Sequence, residues 1–122
     1  MKRFNKDTWR FPLIQHAIPT EWGWVVLYPQ KFNLQRFVDI GWGTFINARY
    51  GVELNEECQI GPYSSILSDN TIDNQNGKVI IGKGAKIGAY SLILPNVIIN
   101  PGEFIKARSI VYIDRNGNRK VK

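Results

Sequence analysis

An aliphatic side chain recurs at every sixth position over most of the second half of this chain. The recurring residues, called anchors below, fall into three registers separated by slips of two and three residues. They are Leu34, Ile40 and Ile46; then Leu54, Ile60, Ile66 and Ile72; then Ile81, Ile87, Ile93, Ile99, Ile105 and Val111. Four residues after most anchors comes a small side chain, and Glu103 is the clear misfit. Such a repeat constrains the fold more strongly than any other feature of the sequence.

A period of six fits neither a helix, which places apolar residues three and four apart, nor a half-buried strand, which alternates. It fits a coil with flat sides, in which each side is a short strand followed by a turn and the anchor points inward. Three sides make a triangular coil of about eighteen residues, and stacked coils bury their anchors in one column. Pro62, Pro95 and Pro101 each lie two residues after an anchor, where a corner is expected. The sequence therefore predicts an all-β parallel solenoid with triangular coils.

The organisation along the chain follows from where the period holds. Residues 34–114 carry it and are predicted to form the solenoid, while residues 1–33 are predicted to form an N-terminal cap and an irregular first coil. Residues 115–122 form a basic C-terminal tail. The slip after Ile72 contains Asp73-Asn74-Gln75-Asn76-Gly77, a turn composition that predicts a loop bulging from one corner. Insertions in solenoids map to one face, often the binding face.

Composition narrows the function classes. The chain has 122 residues, a formal net charge of +6 and one cysteine, Cys58, which has no intramolecular disulfide partner. No apolar run approaches the length of a membrane span, and no secretory signal follows the basic first residues. We therefore expect a cytoplasmic protein without membrane insertion. The basic residues do not interleave with aromatic residues in a nucleic-acid-reading motif, so nucleic acid is not expected as a partner.

The pattern aliphatic, Gly, two variable residues, small, variable appears in Ile60-Gly61-Pro62-Tyr63-Ser64-Ser65 and in Ile87-Gly88-Ala89-Tyr90-Ser91-Leu92. It resembles the hexapeptide-repeat acyltransferases, which fold as a left-handed parallel β-helix. Residues 77–111 are most similar to the C-terminal coils of small sugar O- and N-acetyltransferases of surface polysaccharide synthesis. The same solenoid serves γ-type carbonic anhydrases, but their zinc needs several histidines and this chain has one, so no metal is expected.

The resemblance implies a homotrimer with active sites between neighbouring solenoids, acetyl-CoA along the coils, and a sugar or nucleotide-linked amino sugar as acceptor near the inserted loop. Small or glycine residues and one lysine would line the cofactor groove, namely Gly88, Ala89, Ser91, Lys106, Ala107 and Ser109. Basic residues would meet the phosphates, namely Arg108, Arg115, Arg119 and Lys120. Coil geometry alone also explains the small residues, and a solvated tail also explains the terminal basic ones.

In most of these enzymes a histidine just before the inserted loop acts as general base. The matching stretch here contains Asp69, Asn70 and Asp73 instead, and the chain's one histidine is His16, in the predicted cap. Three interpretations follow. Asp69 or Asp73 acts as base, which requires burial to raise a carboxyl pKa from near four. Alternatively the acceptor is an amine that Asp69, Asn70 and Asp73 only orient. Finally, the chain is a non-catalytic binding or scaffolding protein.

Overall fold

The computed structural model describes residues 5–122, which form a parallel β-solenoid with almost no helix. This confirms the all-β solenoid predicted from the six-residue period. The chain winds through four complete coils, and each coil gives one strand to each of three parallel sheets. Sheet I contains β1 (Val25–Leu27), β4 (Phe45–Asn47), β7 (Ser65–Leu67), β12 (Leu92–Ile93) and β15 (Ile110–Ile113). Sheet II contains β2 (Phe32–Leu34), β5 (Val52–Leu54), β10 (Val79–Ile81) and β13 (Ile98–Ile99). Sheet III contains β3 (Asp39–Ile40), β6 (Gln59–Ile60), β11 (Lys86–Ile87) and β14 (Phe104–Ile105).

Three short elements lie outside these sheets or at their ends. A 3-10 helix, Pro29–Lys31, precedes β2, and an antiparallel hairpin of β8 (Asp69–Asn70) and β9 (Gln75–Asn76) interrupts the third coil. The last strand, β16 (Arg119–Val121), pairs antiparallel with β15. Part of the predicted basic tail therefore forms a strand on the end of sheet I. The first strand of sheet I begins at Val25, within the segment where the sequence predicted a cap and an irregular first coil.

The anchors stack in register and form the core. In sheet I, Val26 pairs with Ile46, Ile46 with Ile66, Ile66 with Ile93 and Ile93 with Val111, and all five are fully buried. The exception among the predicted anchors is Ile72, whose side chain is 93% exposed in the turn between β8 and β9. Its prediction as an anchor was wrong because the hairpin leaves the coil after Leu67, and Ile81 takes the next inward position.

Every departure from the six-residue spacing falls at the edge between sheets I and II. Eight residues separate Val26 from Leu34 and also Ile46 from Leu54, fifteen separate Ile66 from Ile81, and six separate Ile93 from Ile99. The extra residues lie at 28–31, 48–51 and 68–78, and we call this the hairpin edge. The predicted loop is therefore one of three insertions stacked on the same edge in consecutive coils.

Candidate functional site

The hairpin places two of the three predicted catalytic residues over a groove. The Nδ2 of Asn70 donates a hydrogen bond to Oδ2 of Asp73 at 3.0 Å. Both residues line a groove of about 370 Å³ whose opposite wall is the outer surface of sheet I. That wall is largely apolar and includes Leu67, Leu92, Leu94, Ile110 and Tyr112. A polar pair above an apolar wall can position a ligand that has a polar group at one end.

Asp69 lies on the other side of β8 from this pair. Its carboxylate Oδ2 is 3.5 Å from Nη1 of Arg49, and its side chain is only 10% exposed. Asp73, by contrast, is exposed, so it lacks the burial that a carboxylate base would require. Asp69 is thus nearly buried but faces the Arg49 guanidinium, while Asp73 is exposed, so neither carboxylate is both buried and clear of a cation.

His16 also lies at the hairpin edge, although it is 53 residues before Asp69 in the sequence. Its Nδ1 accepts a hydrogen bond from the backbone N–H of Tyr28 at 2.9 Å, and its ring contacts the Tyr28 ring edge-on at 5.0 Å. With Nδ1 occupied as an acceptor, the proton of the neutral imidazole is on Nε2. His16 therefore offers a donor at Nε2 and not the free lone pair that a general base needs there.

The residues predicted to line the cofactor groove lie, together with Arg108, at the edge between sheets III and I, which we call the glycine edge (residues 41–44, 61–64, 88–91 and 106–109). Ser91 and Ser109 are buried, and their hydroxyls donate to the backbone oxygens of Gly88 and Lys106, at 2.8 and 2.6 Å. A Cβ on Gly88 would lie 2.3 Å from the backbone N of Ala107 in the next coil. Coil stacking thus explains these three small residues, while Lys106, Ala107 and Arg108 are exposed and Ala89 is half-buried.

The basic residues predicted to meet phosphates do not form one cluster. Arg115 follows β15 and lies at the opposite end of that strand from Arg108. Arg119 binds Glu103 through two hydrogen bonds and also donates to the backbone oxygen of Ile98. Lys120 is exposed on β16. Arg119 is therefore engaged within the chain, and Lys106 and Arg108 remain together at the glycine edge.

Sequence reasoning missed the aromatic side chains along the glycine edge. Tyr63 and Tyr90 occupy the same position in consecutive coils, more than half exposed, with their rings stacked at 5.3 Å. Beside them runs an open groove of about 480 Å³ along the solenoid, walled by the exposed rings of Trp42 and Phe104. Its floor is formed by Gly41, Gly61 and Gly88, and Lys86 lies at its side. The recurrence of Tyr three residues after an anchor was the signal that could have found part of this surface.

The predicted catalytic residues and the predicted cofactor residues, called the two half-sites below, lie on either side of sheet I. In each coil the sheet I strand separates the hairpin edge from the glycine edge. In the third coil Ser64 and Ser68 lie on either side of this strand, with about 13 Å of extended chain between them. Between them the outer surface of sheet I is largely apolar, with Phe45, Leu92, Leu94 and Ile110 among its residues. The outer surface of sheet III instead carries Asp39, Gln59 and Lys86 alongside Phe104. Within one chain, the two sets of predicted residues therefore lie at opposite margins of a largely apolar surface.

The remaining reactive groups do not add to either half-site. Cys58 is fully buried in the core, and burial raises the pKa of its thiol to about 12, which removes it as a nucleophile. Within residues 5–122 no group of three or more His, Cys, Asp or Glu side chains could hold a metal ion. No helix in that part of the chain is long and apolar enough to cross a membrane. Comparison with known protein families, curated proteins and solved structures finds no match.

Proposed function

We propose that the protein is an acetyl-CoA-dependent acyltransferase with a sugar or nucleotide-linked amino sugar as acceptor. The observation that carries this proposal is the hairpin β8–β9, which is the longest of the three insertions at its edge and holds Asn70 and Asp73 over a groove. A solenoid that served only as a scaffold has no need of such an insertion, whereas a transferase uses it to cover its acceptor. The resemblance of the repeat to hexapeptide acyltransferases supplies the reaction class and a left-handed coil.

The proposed cofactor site is the glycine edge. The groove lacks side chains at Gly41, Gly61 and Gly88, so a pantetheine arm can lie close to the coil there and reach backbone partners. Lys106 and Arg108 are exposed at the end of this edge and would bind the phosphates as charge-assisted donors. Ala89 and Ala107 keep that surface low, while Gly88, Ser91 and Ser109 support it from within the coils.

A complete site then requires a second copy of the chain. The proposed acceptor residues and cofactor residues lie on opposite edges of sheet I, and the surface between them is largely apolar. Packing sheet I of one copy against the glycine edge of the next would bring the two half-sites together and cover the apolar surface. We propose a homotrimer on this basis. In it Arg115, which lies at the hairpin end of β15, would reach the cofactor bound to the neighbouring copy.

We propose an amine as the acceptor, because the hairpin has no histidine, Asp73 is exposed and Asp69 faces Arg49. The amine nitrogen attacks the thioester carbon, the new C–N bond forms, and the C–S bond breaks to release CoA. The nitrogen loses its proton and the leaving thiolate gains one, so the reaction needs no other reactant. Asn70 and Asp73 would hold the amine by hydrogen bonds, and catalysis would come mostly from orientation.

The test is the melting temperature of the protein with acetyl-CoA. A ligand that binds only the folded state stabilises it by about 2.7 kcal/mol at one hundred times its Kd, which raises the melting temperature by several degrees. We expect Arg108→Glu to reduce this shift, and Lys83→Glu, an equal charge change at the edge between sheets II and III, to leave it unchanged. No shift at millimolar acetyl-CoA would overturn the proposal and favour a non-catalytic binding or scaffolding role.

A further inference from the structure

The hairpin edge carries a second cluster of polar and aromatic side chains, which the proposed reaction does not use. Arg49 lies 5.8 Å from the ring centre of Tyr28 and 5.5 Å from that of Tyr50. The Tyr28 ring in turn contacts His16. These residues come from the first two insertions at this edge and from the chain before β1, and Asp69 of the hairpin completes the cluster. The first insertion, the second insertion and the hairpin thus each place one side chain beside this guanidinium, and His16 packs behind Tyr28.

The backbone that carries Arg49 is held in place by several hydrogen bonds. The side-chain Oδ1 of Asn47 accepts from the Arg49 backbone N–H at 3.1 Å, and Oγ of Ser68 accepts from the Tyr50 backbone N–H at 3.0 Å. The Ser68 hydroxyl then donates to the backbone oxygen of Asn47 at 2.7 Å. The bend at 48–51 is therefore fixed before any ligand arrives, which lowers the entropy cost of binding.

Arg49 is also the most loosely paired arginine among those that meet a carboxylate in residues 5–122. The pairs Arg10–Glu21, Arg36–Glu56 and Arg119–Glu103 have closest approaches of 2.5, 2.6 and 2.5 Å. Arg49 approaches Asp69 only to 3.5 Å through Nη1, and its side chain is half exposed. Its other guanidinium N–H groups have no acceptor within the described residues. They are free to bind a planar or tetrahedral oxyanion in the fork geometry that arginine prefers.

We infer that Arg49, flanked by the rings of Tyr28 and Tyr50, binds an oxyanion carried by the acceptor, either a phosphate or a sugar carboxylate. The rings provide an apolar surface beside the charge, and Tyr50 is 42% exposed. Lys31, exposed at the end of the 3-10 helix on the same edge, adds positive charge. That the ligand is the acceptor rests on the proposed function, because Arg49 meets Asp69 on one side of β8 and Asn70 lies on the other, so the same ligand would have to reach both sides of this strand. The oxyanion site itself rests only on the geometry of this edge.

The experiment is isothermal titration calorimetry with three probes: uridine diphosphate, D-glucuronate and the neutral D-glucose. We expect one or both anions to bind, and whichever binds more tightly identifies the source of the oxyanion. Arg49→Gln should weaken anion binding about tenfold or more, and Arg49→Lys, which keeps the charge but not the fork, should weaken it less. Arg36→Gln is the matched control, since Arg36 also lies over an aromatic ring and pairs with a carboxylate, but between sheets II and III.

The inference is overturned if Arg49→Gln binds the anions as the wild type does, if Arg36→Gln loses as much, or if glucose binds equally well. Arg49→Lys provides a folded variant for this test if Arg49→Gln loses its circular dichroism signal. The acetyl-CoA melting shift separates the two proposals. If acetyl-CoA raises the melting temperature but Arg49→Gln leaves anion binding unchanged, the proposed function stands and the oxyanion site is rejected. If anion binding depends on Arg49 but acetyl-CoA does not raise the melting temperature, the oxyanion site stands and the proposed function is rejected.

Discussion

The guanidinium of Arg119 binds both carboxylate oxygens of Glu103, at 2.7 Å through Nη1 and 2.5 Å through Nη2. This pair fastens β16 to the turn before β14, and Arg119 also donates to the backbone oxygen of Ile98. The ion pair explains why Glu103, four residues after the anchor Ile99, is a carboxylate where most coils have a small side chain. The hydrogen bonds from Arg119 hold the pKa of Glu103 below its usual value of 4.5, against the opposing effect of partial burial.

The pair should make the stability of the protein depend on pH. Because the pKa of Glu103 is lowered on folding, its contribution is fully present above about pH 4.5 and is lost as the pH falls through the folded-state value. We expect Glu103→Gln to lower the free energy of unfolding at pH 7 by about 1 to 2 kcal/mol, and by less at pH 3. Urea denaturation at the two pH values measures this. An equal loss at both would show that the charge of Glu103 is not what Arg119 recognises.

The hairpin residues should separate turnover from stability. We expect Asn70→Ala and Asp73→Asn each to lower the rate of acetyl transfer to an amino sugar about 10- to 100-fold, because orientation is lost. Both are predicted to leave the melting temperature nearly unchanged. Asp69→Ala should instead lower the melting temperature, because its nearly buried carboxylate pairs with Arg49. CoA thiol release measures the rates, and Thr71→Ala in the same turn is the control. Unfolding of the Asn70 and Asp73 variants would assign them a structural role.

The anchor column should respond to truncation far more than the outer surface does. Ile87 is 3% exposed in β11, whereas Ile98 is 53% exposed on the outer surface of sheet II. We expect Ile87→Ala to lower the free energy of unfolding by about 2 to 5 kcal/mol, since it removes buried methylene groups and leaves a cavity. Ile98→Ala should cost under about 1 kcal/mol. Equal losses in urea denaturation would contradict the assignment of Ile87 to the core.

Two glycines should tolerate alanine differently for separate physical reasons. A Cβ at Gly88 would collide with the backbone of Ala107, while a Cβ at Gly84 meets nothing within 4 Å. Gly84 has a φ of +70°, so alanine there costs about 1 to 2 kcal/mol of backbone strain. Gly88→Ala must push two coils apart, and we expect a loss above about 2 kcal/mol. Thermal unfolding of both variants tests this ranking, and a milder Gly88→Ala would show that the coils slide easily.

The sequence predicted the coil well because an inward anchor is needed on every side of every coil, and this requirement is local. Val26 escaped notice because eight residues, and not six, separate it from Leu34. Ile72 misled because it continued the period by chance within the hairpin. The prediction of an insertion at 73–77 rested on turn-forming residues, which act locally, and the structure has a longer hairpin there, with strands 69–70 and 75–76.

The six-residue repeat could not predict contacts between segments that are distant in the sequence. The Arg119–Glu103 pair joins the tail to the last coil, and the His16–Tyr28 contact joins the cap to the hairpin edge. A hexapeptide pattern assigns residues to a side of the coil but not to a neighbour outside it. The candidate site could not be assembled from the repeat for the same reason. Asn70 and Arg108 lie on opposite edges of sheet I, and the six-residue period does not show which edge carries the insertions.

The antiparallel strand β16 also limits the length of the solenoid. A stack of parallel coils ends in strands with unpaired backbone groups, which is a template for the first coil of another molecule. On sheet I that template is covered by a strand running the opposite way, and Arg119 ties it down at Glu103. An incoming parallel coil would find one of its three sides running in the wrong direction. The strand thereby disfavours end-to-end growth into filaments.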